Sequence, residues 1–246
     1  MKRARNKSLR VGVIGDFHGS HKRPALDLFI EEAQPELLLT VGDLQYYESW
    51  PLPTTFVRGN HEDWDIIEGL EKGTLQVSNL SYLADGRRAT VNGLSVAGMG
   101  GNWSPNGKQA PKYIRHDYLA RFADSRADIV LSHETPMRPS DGLHDHLTLE
   151  PMREVALRVR PQLWFSGHHH HYDVEQIDAR TTFISLGKWP HEWVVMDLTP
   201  GKIENWHRFE PADLAAYHAD KVLWHLAEEE QKRELLSLER GGRKRR

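Results

Sequence analysis

Five short apolar runs, each followed at once by an acid, amide or imidazole side chain, restrict the fold of this chain more than any other feature. The runs span residues 11–15, 37–41, 55–58, 129–132 and 163–166. They are rich in Val, Ile, Leu and Phe and are bounded by Gly, Asp or His, as is typical of strands that are covered on both faces of a sheet. We therefore expect an α/β fold in which the strand ends carry polar side chains.

The remaining segments predict how these strands are connected. Residues 22–32 carry apolar side chains at helical spacing, and Pro35 follows as a stop signal. The connection from Asp43 to Thr55 holds two prolines and no helical period, which predicts an irregular loop. Further strands are predicted at 174–177, 181–186, 193–198 and 203–208. From these later strands we expect a second, more antiparallel sheet.

The length and the charge distribution predict one large domain with basic ends. A chain of 246 residues suits a single α/β domain with a substantial core. The predicted division is a basic tail over 1–9, the α/β domain over 10–210, and a C-terminal helix with a basic tail over 211–246. The basic ends have two interpretations, contact with a polyanion or solvated termini, and the second is the commoner fate of such charge runs.

Composition narrows the chemistry and the environment. The chain has no cysteine, so it has no disulfides, and any bound metal is held by nitrogen and oxygen. Its formal net charge of -3 gives no sign of a strongly basic surface that coats nucleic acid. No apolar stretch approaches the roughly 18 residues that a membrane span needs. We therefore predict a cytoplasmic protein that does not bind a membrane.

The polar side chains that follow the five apolar runs form a candidate metal site. In chain order they are Asp16 with His18, Asp43, Asn60 with His61, His133, and His168 with His170. Divalent metals that catalyse hydrolysis use such ligands, and the carboxyl ends of strands form the crevice where α/β sheets bind ligands. Any one of these side chains alone is more simply an ordinary loop residue. Five segments of this kind in one chain instead indicate a site.

Local spacing gives an expectation about how these side chains are aimed. A glycine precedes the ligand in four of the segments, at Gly15, Gly42, Gly59 and Gly167. Glycine permits a sharp turn or a close backbone approach there. Asp16 and His18 are two residues apart, as are His168 and His170, which would place each pair on one side of an extended segment.

Together these segments resemble the signature of the calcineurin-like metallophosphoesterase superfamily, in its usual order. The matching motifs are DFH at 16–18, GD at 42–43, GNHE at 59–62, SHETP at 132–136 and GHHH at 167–170. The resemblance spans roughly residues 10 to 190. It implies an α/β/β/α sandwich of two mixed sheets flanked by helices.

The resemblance also implies a role for each residue. One metal ion would be held by Asp16, His18 and His170, a second by Asn60, His133 and His168, and Asp43 would bridge them. The two ions would share and activate a hydroxide that attacks phosphorus, while His61 protonates the leaving oxygen. Manganese is favoured, with Fe, Zn, Co or Ni as alternatives for this nitrogen and oxygen donor set.

The resemblance implies a phosphoester substrate, and the motifs favour a phosphodiester of nucleotide or nucleic-acid type. The GD motif lacks the arginine-containing extension of Ser/Thr phosphatases, and the segments at 96–104 and 114–118 resemble RNA lariat-debranching enzymes. Candidate substrate contacts are Arg58, Trp103 and Arg115, although surface exposure or packing is the commoner fate of these types. A phosphomonoesterase or a catalytically silent scaffold are the alternatives, and the oligomeric state is left open.

Overall fold

The structure is a computed structural model that describes residues 8–137, 146–188 and 190–217. Most of the predicted basic tail over 1–9 and of the predicted C-terminal helix and tail over 211–246 lies outside these residues. Within the described ranges, every helix is too short or too polar to span a bilayer.

The described residues form four α-helices, two short 3-10 helices and two sheets of six strands each. The α-helices are α1 (Arg23–Ala33), α2 (Trp64–Lys72), α3 (His116–Phe122) and α4 (His146–Val159). The strands of the first half are β1 (Leu9–Ile14), β2 (Leu37–Thr40), β3 (Thr54–Phe56), β4 (Leu80–Tyr82), β5 (Arg88–Val91) and β6 (Leu94–Met99). Those of the second half are β7 (Ile129–Ser132), β8 (Leu163–Ser166), β9 (Asp173–Gln176), β10 (Thr182–Ser185), β11 (Val194–Thr199) and β12 (Lys202–Arg208).

Both sheets are mixed, with parallel strands at the centre. The first has the order β12-β11-β1-β2-β3-β4, and β1 through β4 run parallel to one another. The second has the order β5-β6-β7-β8-β10-β9, with antiparallel pairs only at its two edges. All five apolar runs that lead to the candidate ligands are therefore parallel strands or their immediate continuations.

The expectation of a separate antiparallel sheet over residues 174–208 is wrong. The strands β9 and β10 extend the second sheet, whereas β11 and β12 extend the first through the pairing of β11 with β1. The predicted strands themselves are correct. Their partners were not predictable because alternation along a strand reports which face is buried and not which neighbour it pairs with.

Three hydrophobic clusters stack these elements into four layers. The central cluster joins the two sheets face to face and includes Val13 and Leu39 of the first sheet and Leu131 and Phe165 of the second. A second cluster packs α1 against the outer face of the first sheet, and a third packs α3 and α4 against the outer face of the second. The architecture is thus the α/β/β/α sandwich that was expected.

Hydrogen bonds across the sandwich bring the carboxyl ends of the central strands together. The His133 ring, just after β7, uses Nδ1 to bond the carbonyl of Val41, just after β2, at 2.9 Å. The amide of His168, just after β8, donates to the Asp16 carboxylate, just after β1, at 3.1 Å. As predicted, the connection from Asp43 to β3 contains no helix, and its Tyr46 and Trp50 are buried.

Candidate metal centre

Asp16, His18 and His170 converge at this edge. The Nε2 atoms of His18 and His170 lie 3.1 Å apart, and they are 4.0 Å and 3.6 Å from Oδ1 of Asp16. Two atoms that each lie about 2.1 Å from one ion are about 3–3.5 Å apart in tetrahedral geometry. The spacing and the mixed nitrogen and oxygen donors therefore fit a divalent metal ion.

Asp43 connects this group to a second one. Its Oδ2 lies 3.8 Å from His18 Nε2, and its Oδ1 lies 3.5 Å from His133 Nε2. Oδ1 of Asn60 is 2.8 Å from the same His133 nitrogen. One carboxylate thus presents an oxygen to each of two ligand groups, which is the arrangement that a bridging ligand requires.

His168 lies beside the second group. The centroid of its ring is 5.1 Å from that of His133. All seven predicted ligands consequently meet where the two sheets adjoin, although they come from five separate loops.

The backbone at most of these ligands is in the left-handed region. The positive φ angles are 37° at Asp16, 55° at His18, 52° at Asp43, 68° at His168 and 58° at His170. Such a conformation costs a residue other than glycine on the order of 1–3 kcal/mol and is concentrated at functional sites. The extended conformation expected between the paired ligands is therefore wrong, because both members of each pair have left-handed backbone.

Glycine is required at two positions by close approach to the buried carboxylates. A Cβ atom on Gly59 would lie 1.9 Å from Asp43 Oδ1, and one on Gly167 would lie 2.6 Å from Asp16 Oδ2. No side chain fits at these distances. The two glycines let the ligand loops pack directly on the carboxylates of the other strands.

The electrostatics of the site give three of the ligands the protonation states that metal binding needs, whereas the charges of Asp43 and Asp16 outweigh burial and raise the pKa of His133. Burial opposes ionisation of Asp16, but the neighbouring imidazoles of His170 and His133 outweigh it and lower the pKa of Asp16 to about 2. Burial lowers the pKa of His168 to about 4 and also lowers the pKa of His18. At neutral pH Asp16 is therefore ionised while these two imidazoles are neutral.

His61 lies over the cluster without being buried in it. Its ring is exposed, and the ring centroid is 6.2 Å from that of His18. Its backbone amide donates to Asp43 Oδ1 at 2.8 Å, next to the 2.7 Å bond from the Asn60 amide. The carboxylate of Asp43 thus fixes the backbone of His61 and leaves the side chain accessible to a substrate.

Two buried glutamates support the ligand loops, and neither was assigned a role from the sequence. Glu62 accepts hydrogen bonds from the amides of Gly59 at 2.8 Å and Leu44 at 3.2 Å, and from the Tyr47 hydroxyl. It therefore ties the loop after β2 to the loop after β3. Burial raises the pKa of Glu62 above its ordinary value. In the sequence, the position of Glu62 in the GNHE motif was the only indication of this role.

Glu134 has a similar place in the second sheet. Its Oε2 accepts from the amide of Trp103 at 3.1 Å, and its Oε1 accepts from the amide of Thr135 at 3.0 Å and lies 3.1 Å from His169 Nε2. Glu134 also lies close enough to His168 and His169 to share a cation with them. The loops after β6, β7 and β8 are joined at this one carboxylate.

The predicted substrate contacts lie outside the ligand cluster. Arg58 is buried and bonds Asp85 at 2.6 Å and the Pro111 carbonyl, and Arg115 pairs with Asp117 at 3.0 Å. Both arginines line a cavity of about 420 Å³ beside α2. The Trp103 ring stacks on the His116 ring with centroids 4.4 Å apart, so one of its faces is covered.

Comparison with known proteins gives the following matches. Residues 9–172 match the family described as calcineurin-like phosphoesterase. The chain is 29% identical over 185 residues to the lariat debranching enzyme of Entamoeba histolytica, covering 60% of this chain and 52% of that one. It is 27% identical over 204 residues to the lariat debranching enzyme of Saccharomyces cerevisiae, covering 64% and 49% respectively. The chain thus spans about half the length of these relatives.

Among solved structures, a hypothetical protein from Thermus thermophilus has a TM-score of 0.52 and 13% identity, covering 82% of this chain and 98% of that one. At this identity the likeness concerns the fold alone. It agrees with the four-layer sandwich described above.

Proposed function

The chain belongs to the calcineurin-like phosphoesterase family, and from this premise we propose that it is a metal-dependent hydrolase of phosphodiester bonds. The observation that carries the proposal is the position of Asp43, whose two oxygens face two separate groups of nitrogen and oxygen ligands. A single structural metal ion would need only one such group. Two adjacent groups joined by a carboxylate suit the hydrolysis of phosphoesters.

We propose the following ligand roles. Asp16, His18 and His170 hold one ion, Asn60, His133 and His168 hold the other, and Asp43 contacts both. When bound, two divalent ions supply an activated water and neutralise charge on the phosphoryl oxygens. Manganese is the proposed ion for this donor set.

The proposed role of His61 is that of proton donor to the leaving oxygen. Its ring is exposed beside the ligand cluster while its backbone is held by Asp43. The leaving group of a diester is a basic alkoxide, so its departure is faster when a side chain protonates it.

The proposed substrate class is nucleotide or nucleic acid. The supporting observation is that the similar curated proteins are named lariat debranching enzymes, and their name describes action on a branched nucleic acid. Arg58, Trp103 and Arg115 stay predicted substrate contacts; both arginines line the cavity beside α2, where Arg58 is buried and Arg115 is exposed. The cytoplasmic location likewise stays a prediction.

Hydrolysis of two chromogenic esters in the presence of Mn²⁺ tests the proposal. We expect bis-p-nitrophenyl phosphate to be hydrolysed with a higher kcat/KM than p-nitrophenyl phosphate. Hydrolysis of the monoester alone would contradict the diester assignment, and activity on neither would contradict the hydrolase. A branched oligonucleotide compared with a linear one of the same composition then tests the substrate class.

A further inference from the structure

The side chain of Asn102 meets the ring of His168 at the rim of the metal centre. Asn102 Nδ2 lies 3.2 Å from His168 Nε2. Within the described part of the chain, the other amide atom, Oδ1, is buried and has no hydrogen-bond partner. Asn102 thus touches the sequence-predicted site through one ring nitrogen of one ligand.

The backbone of Asn102 is clamped on both sides, which makes the side chain a rigid support. Its amide donates to the carbonyl of Lys112 at 2.8 Å, and its carbonyl accepts from the amide of Ile114 at 2.8 Å. The amide of the next residue, Trp103, donates to Glu134 at 3.1 Å. Because these contacts fix the loop at several points, the amide group is preorganised toward His168.

His168 is held from the opposite side as well. Its backbone amide donates to the buried carboxylate of Asp16 at 3.1 Å. Asp16 therefore positions the backbone of this ligand, and Asn102 contacts its ring. A neutral imidazole has one N–H and one lone pair, so the contact at Nε2 determines which nitrogen is left for a metal ion.

Only one orientation of the Asn102 amide leaves His168 able to bind a metal through Nδ1. With Nδ2 facing the ring, Nε2 accepts the hydrogen bond and Nδ1 carries the proton. With the amide rotated by half a turn, Oδ1 accepts the proton of Nε2 and Nδ1 has the free lone pair. The two orientations have nearly the same shape and are assigned from their hydrogen bonds. Each orientation bonds His168 and leaves one amide atom without a described partner, so the two differ in which ring nitrogen His168 can offer to a metal ion.

We propose that Asn102 is a positioning residue that accepts the Nε2 proton of His168 and so presents Nδ1 of that ring to the second metal ion. The inference rests on the two-metal centre of the proposed function. Ligating histidines commonly donate their other N–H to a protein oxygen, and loss of that acceptor weakens metal affinity by about 10–100-fold.

Metal binding to the metal-free protein, measured by isothermal titration calorimetry with Mn²⁺, tests the proposal without relying on turnover. We expect two sites in the parent protein. Asn102→Ala removes the acceptor and should weaken one site by about 10–100-fold, whereas Asn102→Asp keeps an acceptor and should retain both sites. Asn106→Ala, an exposed position in the same loop, is the matched control and should bind as the parent does.

Histidine ¹⁵N NMR of the Zn²⁺-loaded protein gives a readout that a merely structural role would not move. We expect His168 Nε2 to carry a proton and Nδ1 to show the shift of a metal-bound nitrogen. Metal bound at Nε2, two undiminished sites in Asn102→Ala, or an Asn102→Asp variant as weak as Asn102→Ala would each overturn the proposal. Two bound ions in a protein that hydrolyses no ester would contradict the proposed function and leave this assignment standing.

Discussion

Replacing Gly59 with alanine should disable the metal centre by displacing Asp43. The added Cβ would lie 1.9 Å from Asp43 Oδ1 and 2.4 Å from its backbone nitrogen, whereas ordinary contact begins at 3.4 Å. The carboxylate must therefore move by about 1.5 Å if the backbone holds. A misplacement of about 1 Å in an active site costs on the order of 100-fold in rate, or about 2.7 kcal/mol.

The assay is kcat/KM for bis-p-nitrophenyl phosphate with Mn²⁺, together with metal content and a thermal melt. We expect Gly59→Ala to lose at least about 100-fold in kcat/KM and to retain less than the full complement of metal. Gly201→Ala is the control, because its φ of 76° disfavours alanine while its Cβ would meet nothing within 4 Å. That control should lose some stability and no activity.

A folded Gly59→Ala protein with kcat/KM within tenfold of the parent would refute the reasoning. If this variant does not melt cooperatively, Gly167→Ala provides the same test at the other buried carboxylate. Its Cβ would approach Asp16 Oδ2 to 2.6 Å, which is a smaller overlap.

Three further predictions concern the acid, the support and the pH response. His61→Ala should cut turnover of a diester that has an alkoxide leaving group by about 10²–10⁴-fold with two metal ions still bound, whereas Asp43→Ala should lose both properties; normal metal content in the Asp43 variant would count against bridging. Glu62→Gln places an amide donor against backbone N–H groups and should lower the free energy of unfolding by about 1–3 kcal/mol, with Glu68→Gln, an exposed position, as the neutral control in urea denaturation. Burial lowers the pKa of His21 from 6.5 to about 4, so the unfolded chain binds the proton first and stability falls as pH drops through that window. His21→Gln should reduce this loss between pH 7 and 5, and an unchanged loss would contradict the assignment.

The strands that carry the ligands were predictable because buried strands consist of continuous apolar side chains. The five apolar runs became β1, β2, β3, β7 and β8 or their immediate continuations, since a strand covered on both faces needs apolar side chains throughout. The partner of each strand was harder to predict from the sequence. The run that became β11 pairs antiparallel with β1, a neighbour about 180 residues away in sequence.

The supporting roles of Glu62 and Glu134 could not be predicted for a different reason. Glu62 and Glu134 stand inside recognisable motifs, but a carboxylate looks alike in sequence whether it binds a metal or accepts backbone amides. Only their contacts with Gly59, Trp103 and other loop amides show the second use. The same holds for Asn102, whose partner is 66 residues away.

The kinds of ligand and their order along the chain are properties of the residues, because the chemistry of carboxylate, amide and imidazole does not depend on folding. The grouping of the ligands in space does depend on folding. The left-handed backbone at Asp16, His18 and the other ligands persists only because packed neighbours hold it against its local cost. The two oxygens of Asp43 likewise face separate ligand groups only where the two sheets meet, and no single segment contains that geometry.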